Sequence, residues 1–305
     1  MPRRHLLRVS RLVRALLPAV GVVALAGCGS SGSGVSARAL LHDTFAARHQ
    51  VTSGRMSFAL TVAPAGAGAR ADPVTVTVGG PFQSRGAGRS PASDFTLQVA
   101  SGSQHGSLAI VSTGTAAFVT FAGTSYRLPE STFERFASGL SPLTAGGSLS
   151  SLGIEPLDWL VDPVVVGRAT VGGVPTIHIR ARVDPQRLVR ELGALLSTTG
   201  SLAGGANSAG RSVTLSPASQ RRIAGAIRKA SVEIWTGVAD RTLRRLTLAV
   251  TLPVAGGLSS LLGGLRSARL LLDVRYTDLN QAQRIPAPAN ARPFSELASA
   301  LVGRS

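Results

Sequence analysis

Lysine is almost missing from this chain: of 32 basic side chains only Lys229 is not an arginine, and they stand against just 15 acidic ones. Aromatic residues make up 4% of the whole, and cysteine occurs once, at Cys28. A single thiol excludes a disulfide-stapled scaffold, a zinc ribbon and an iron–sulfur protein, each of which needs several. The 35 glycines follow no Gly-X-Y period, and 44% hydrophobic against 15% charged residues excludes wholesale disorder. The apolar run near the N-terminus extends only from Ala15 to Ala26, short of the ~20 residues a membrane-spanning helix needs. No G-x-S-x-G elbow, phosphate-binding loop or H-E-x-x-H helix occurs. What remains is a chain of 305 residues, long enough for one or two domains with a sizeable core.

The first residues read as an export signal. Arg3, Arg4, Arg8, Arg11 and Arg14 form a basic segment, the apolar run follows, and Leu25-Ala26-Gly27-Cys28 closes it. Small residues before the cysteine let a signal peptidase seat the backbone, and the Cys28 thiol is the nucleophile that accepts diacylglycerol. Residues 1–27 are thus expected to be a lipoprotein signal peptide and 28–34 a lipidated Gly/Ser tether. Arg3-Arg4-His5-Leu6-Leu7 leaves twin-arginine export open beside the general route. With Cys28 acylated, the mature chain has no thiol for a disulfide or for catalysis. Its remaining basic excess suits solvated surface or an anionic membrane, and export argues against a nucleic-acid partner.

Beyond the tether, Val35 to Gln50 has a helical apolar stripe, and from Val51 the period changes to two. Met56, Phe58, Leu60 and Val62 alternate with small polar residues, as do Val74, Val76 and Val78. Further strands are predicted over Asp94 to Ala100, Ser107 to Ser112, Ala116 to Ala122 and Thr124 to Leu128. Ser131 to Leu140 reads as a helix capped by Ser131. Val164 to Val171 and Val174 to Val183 form a hairpin across Gly172-Gly173. Helices are predicted over Pro185 to Leu196, capped by Asp184, and Pro217 to Ala230. Three strands close the chain, over Ser231 to Thr236, Thr242 to Leu252 and Ala268 to Asp278. Helices do not alternate singly with strands, so the pattern is α+β, one large antiparallel sheet with a few helices laid against it. Residues 35–305 are read as one domain with loop inserts at 197–215 and 254–267.

Three stretches carry a resemblance: Gly167-Arg168-Ala169-Thr170-Val171-Gly172-Gly173-Val174-Pro175-Thr176-Ile177-His178-Ile179, followed by Val183-Asp184 and a helix; Val232-Glu233-Ile234-Trp235 with Asp240-Arg241 and Leu243 to Leu248; and Tyr276-Thr277-Asp278-Leu279-Asn280 before Ile285-Pro286. Behind a lipobox, this order resembles the LolA-like half-barrel lipoproteins, above all the actinobacterial LppX/LprG branch. The resemblance implies a strongly curved antiparallel sheet whose concave face, closed by helices, encloses lipid or glycolipid acyl chains. Taking the apolar phase of each strand, Phe58, Leu60, Phe95, Leu97, Ile110, Ile177, Ile179, Leu246, Leu248, Leu270 and Leu272 are assigned to that interior. A filled core beneath the helices would show the same periodicity.

Signs of catalysis or of a metal or other cofactor site are thin. His178 alternates with Ile177 and Ile179, so it is expected to face solvent or a polar neighbour, and His105 lies in a turn-like stretch. Glu130 and Glu134 suit a helix start, where they complement the dipole. Trp159 and Trp235 read as packing residues. Arg221-Arg222 and Arg244-Arg245 read as solvated faces, with contact to lipid phosphate as the other reading. The chain is therefore expected to be a non-enzymatic, membrane-tethered lipid-binding protein; the competing reading is an exported sensor or regulator that binds an envelope protein partner.

If Cys28 is the acyl acceptor, a Cys28→Ala chain takes up no label from a fatty-acid probe and leaves the membrane fraction or stays unprocessed. Labelling that persists in that variant would refute the assignment. Stable residence needs both diacylglycerol chains, since one anchors only marginally.

Overall fold

The computed structural model describes residues 36–45, 51–65, 72–86, 89–134, 155–191, 216–227, 229–253 and 267–302. Helix α1, Ala37–Phe45, precedes six strands: β1 Ser53–Pro64, β2 Val74–Gln83, β3 Ala92–Ser101, β4 Gln104–Ser112, β5 Ala117–Phe121 and β6 Thr124–Arg127. A helical turn, α2, covers 130–134. Then come α3 Pro156–Trp159, β7 Leu160–Val171, β8 Val174–Val183, a helix α4 over 185–191 and α5 Pro217–Ala226. The chain continues through β9 Lys229–Gly237, β10 Leu243–Pro253 and β11 Ser267–Thr277, and a two-residue β12, Arg292–Pro293, leads into α6, Phe294–Val302.

The 12 strands make one sheet in the order β12-β6-β5-β4-β3-β2-β1-β11-β10-β9-β8-β7. Every pairing is antiparallel except β12 with β6, and the curved sheet does not close, so among the described residues β7 is a free edge. The ladder passes from β1 to β11 with ten paired residues, from Arg55 opposite Thr277 to Pro64 opposite Ala268. Chain ends far apart in sequence thus meet at the middle of the sheet. Backbone geometry requires glycine at three positions. Gly172 and Gly173, both at positive φ (56° and 79°), form the two-residue turn joining β7 to β8. At Gly80 a Cβ would overlap Asp94 O, and there the β2–β3 pairing is interrupted between Gly79–Thr96 and Phe82–Ser93 while its register is kept.

Strand phase separates the two faces. On one, Leu246, Leu248, Val250 and Leu252 of β10 stand beside Val232 and Ile234 of β9 and Ile179, Ala181 and Val183 of β8. Residues Leu40 and Leu41 of α1, Trp159 of α3 and Leu188 of α4 complete this cluster, each below 6% exposed. Leu40 and Leu41 are adjacent in a nine-residue helix, so α1 is held by few but fully buried side chains. Its Thr44 hydroxyl bonds Leu40 O at 2.7 Å and Thr236 Oγ1 at 2.8 Å, which ties the last turn to β9.

Several element boundaries differ from the sequence pattern. The helix from Pro217 ends at Ala226, because Ile227 turns extended and Lys229 and Ala230 are drawn into the β9–β10 ladder opposite Thr251 and Val250. Helix α2 begins one residue before Ser131: Phe133 N donates to Pro129 O, so Ser131 lies inside the first turn. The turn between β3 and β4 is Gly102-Ser103, and His105 is an exposed strand residue opposite Ala100. Ser267 belongs to β11, opposite Pro253, so of the second insert only 254–266 stands outside the described residues, as does all of 197–215. Helix α6 and β12 carry no strong pattern in sequence and were not anticipated.

Asp184 caps α4 as its position before Pro185 suggests: Oδ1 accepts from Gln186 N at 2.9 Å and Arg187 N at 3.2 Å. Replacing Asp184 with Ala is expected to lower stability by about 1 kcal/mol, read as a shift in urea midpoint at constant slope. An unchanged midpoint would mean that the packing of Leu188 alone holds the helix.

Candidate functional site

Register pairing brings all eleven sequence-assigned residues to one face of the sheet. Phe58 and Leu60 of β1 face Val274 and Leu272 of β11, and these in turn face Leu246 and Leu248 of β10. On the other side Phe58 pairs with Val78, Val78 with Leu97, and Phe95 with Ile110. The face divides into two regions of different packing. Ile179, Leu246 and Leu248 are buried in the cluster beneath α1, with Ile177, Leu270 and Leu272 packed against it. Phe58, Leu60, Phe95, Leu97 and Ile110 lie outside that cluster and are only half-buried, although they are large and apolar. Val99 and Phe121, in the same phase farther along, are 42% and 37% exposed. The sheet therefore presents a continuous apolar surface, closely packed over β8 to β10 and half-open over β1 to β5.

Sequence periodicity missed an apolar pair on the other face. Val111 and Phe118 pair across β4 and β5 in the phase opposite to Ile110 and Val119, and both are 7% exposed. The signal was present, since Ile110-Val111 and Phe118-Val119 are apolar doublets, but a two-residue period assigns only one member of a doublet to a buried face.

Across β8 to β11 that opposite face carries a charged array, although Leu271 also lies on it, exposed. His178 stacks on Trp235, with ring centroids 4.5 Å apart and planes 4° from parallel, and its Nε2 lies 2.9 Å from Glu233 Oε2. Arg180 Nε donates to Glu233 Oε1 at 3.1 Å, and the Arg245 guanidinium sits over the Trp235 ring at 4.9 Å. Both Arg245 and Arg275 grip Asp273, with Nη2 to Oδ2 distances of 2.7 and 2.9 Å. His178 thus has a polar neighbour, and Trp235 packs against the His178 ring and the Arg245 guanidinium rather than in the core. Burial raises the proton affinity of the Glu233 and Asp273 carboxyls, but hydrogen bonds and charge from their arginine partners, and from His178 for Glu233, outweigh it and hold both below the usual carboxylate range. This array is a cross-strand clamp over β8 to β11, and the described residues hold no cluster of three metal-ligating side chains.

The arginine pair in β10 is not uniformly solvated. Arg245 lies on the charged face, but Arg244 is 7% exposed and bonded through Nη2 to Asp240 in the preceding turn. Trp159 packs in the helix-covered cluster at 4% exposed. A separate open cleft of about 520 Å³ lies at the far end of the sheet, between Arg127 to Glu130 and Ala291 to Ser295, away from the eleven apolar residues. Among the described residues no helix is long and apolar enough to cross a membrane.

Because the Asp273 carboxyl has a lowered affinity for protons in the fold, its contribution to stability is present above the unfolded-state pKa and is lost as pH falls through the folded one. Asp273→Asn is expected to reduce stability near neutral pH by up to about 1 kcal/mol and to flatten the acid limb of stability against pH. An acid limb as steep as before would assign it to other carboxylates.

No family model and no curated protein matches the sequence. Among solved structures the chain is similar to LprF from Mycobacterium bovis, at 11% identity and a TM-score of 0.43 over 83% of this chain and 97% of that one. It is similar to the lipoprotein LppX from Mycobacterium tuberculosis at 10% identity and a TM-score of 0.37, covering 82% and 98%. A LolA superfamily protein from Nitrosomonas europaea matches at 10% identity and a TM-score of 0.21, covering 83% and 96%.

Proposed function

We propose that this protein is a non-enzymatic lipoprotein, held by acylated Cys28 at the extracytoplasmic face of the cell membrane, that shelters lipid or glycolipid acyl chains on the apolar face of its sheet for transport through the envelope. One observation carries the reading: Phe58, Leu60, Phe95, Leu97 and Ile110 form a contiguous apolar surface that is only half-buried, beside a region of the same face that is fully packed. A contiguous exposed apolar patch marks an interaction site, and each methylene moved onto it from water contributes about 0.8 kcal/mol. The tails are assigned to the β1–β5 region and its border at Leu270 and Leu272. Ile179, Leu246 and Leu248 serve as the foundation that keeps the sheet in shape.

A second reading has its own observation. Edge strand β7 exposes Val164, Val165 and Val166 at 55%, 46% and 46%, and an unpaired edge of this kind accepts a strand from an envelope protein partner.

Native mass spectrometry of the processed chain, released from detergent micelles, is expected to find bound lipid. Leu97→Trp should reduce that lipid at little cost in stability, because the ring occupies space meant for tails. Ile179→Trp, placed at a fully buried position, should instead lower stability by about 1 to 3 kcal/mol. A wild-type chain without lipid, or a Leu97→Trp chain with undiminished lipid, would refute the carrier reading in favour of the protein-binding one.

A further inference from the structure

We infer that the turn between β9 and β10 is a seat for a phosphate group, which under the lipid-binding reading is the headgroup phosphate of the bound amphiphile. Among the described residues Arg244 is the one charged side chain that is buried, at 7% exposed. Its Nη2 bonds Asp240, while its Nε is buried with no hydrogen-bond partner in the protein. Two more buried donors in the same turn, Arg241 Nη1 and Thr242 Oγ1, also lack a partner. Three unpartnered donors thus fall within four consecutive residues, against the strong rule that buried donors are paired.

The turn is built to keep these donors in place. Thr242 N donates to Asp240 Oδ1 at 3.2 Å, Gly237 N donates to Thr242 O at 2.9 Å, and Arg241 N donates to Gly237 O at 3.2 Å. Gly237 has no side chain where Asp240 Oδ1 and Arg244 Nε approach: a Cβ there would overlap the carboxylate and stand 3.5 Å from the guanidinium nitrogen. Arg241 takes a positive φ of 54°, an unusual conformation for a residue with a side chain. The ladder also slips between Leu243 and Arg245, so the strand begins with an irregularity where the donors sit.

The ligand class follows from the donors. Two guanidinium groups and a hydroxyl, against the single carboxylate of Asp240, leave a local positive charge and call for an anion with several acceptor oxygens. A phosphate mono- or diester meets this, and arginine is the side chain suited to it. The position suits an amphiphile: Leu243, next in the chain, packs against the apolar cluster, and Thr236, opposite it in register, is bonded to Thr44 of α1. The polar turn therefore borders the apolar face at the ends of the strands.

The test is competition between phosphatidic acid and diacylglycerol of identical acyl chains, added together to the processed chain in detergent micelles and read by native mass spectrometry. The wild-type chain is expected to retain phosphatidic acid in preference by about tenfold. Thr242→Val removes one unpartnered donor while keeping the backbone bonds and the shape; it should cut the preference several-fold without loss of total bound lipid and without loss of stability. Arg244→Met should abolish the preference, and Arg244→Lys should restore part of it. Equal retention of the two lipids by the wild-type chain, or a preference untouched in Thr242→Val, would overturn the seat. Inorganic phosphate is titrated separately by thermal shift. If neither lipid is retained but phosphate raises the wild-type Tm and not that of Thr242→Val, the seat stands for free phosphate and the lipid-binding reading falls. If phosphate has no effect either, both fall.

Discussion

Hydrogen-bonding register is the constraint on which the rest of this structure depends. Side chains alternate between faces with a period of two, so a slip of one residue in the β10 ladder would turn Leu246, Leu248 and Val250 to the charged side and carry Arg245 and Thr247 under α1. The ladder is pinned at its ends and across its width. The Gly172-Gly173 turn sets β7 against β8, Asp273 clamps arginines from β10 and β11, and Glu233 joins β8 to β9. The charged face is thereby a register device, and its lowered carboxyl pKa values express how closely the pairs are held.

Under the proposed function one apolar face serves two purposes, because among the described residues the helices cover only part of it. Over β8 to β10, side chains from α1, α3 and α4 bring Ile179, Val232 and Ile234 to zero exposure, and this packing stabilises the sheet's curvature as a core does. Over β1 to β5 the same kind of residue remains half-buried. A ligand made of methylenes needs nothing more specific than such a surface, whereas a seat for its headgroup needs directed donors. The turn at Asp240 to Arg244 supplies donors of that kind beside the packed strands, so the two proposals give headgroup recognition to the β9–β10 turn and tail recognition to the half-open β1 to β5 region of the same face.

Much of this was legible in the residues. Alternation located eleven of the twelve strands to within a few positions, Gly172-Gly173 marked its hairpin, Asp184 its cap, and the apolar phase picked out eleven residues that the register pairs bring to one face. The failures share a cause. The end of α5 at Ala226, the strand role of Lys229 and Ala230, the two-residue β12 and the burial of Val111 and Phe118 all depend on partners distant in sequence. Local propensity does not see such partners.

Arginine 244 marks the boundary most clearly. In sequence Arg244-Arg245 is a basic doublet on a strand; in the fold Arg245 lies over Trp235 and Arg244 is buried against Asp240. By itself the sequence determined the predominance of one antiparallel sheet and the set of apolar residues that share a face, because composition and a two-residue period are local properties. Only the tertiary structure decided which of those residues are packed and which stay half-open, and which arginine loses its water, because burial is set by what strands and helices far apart in the chain bring against a side chain.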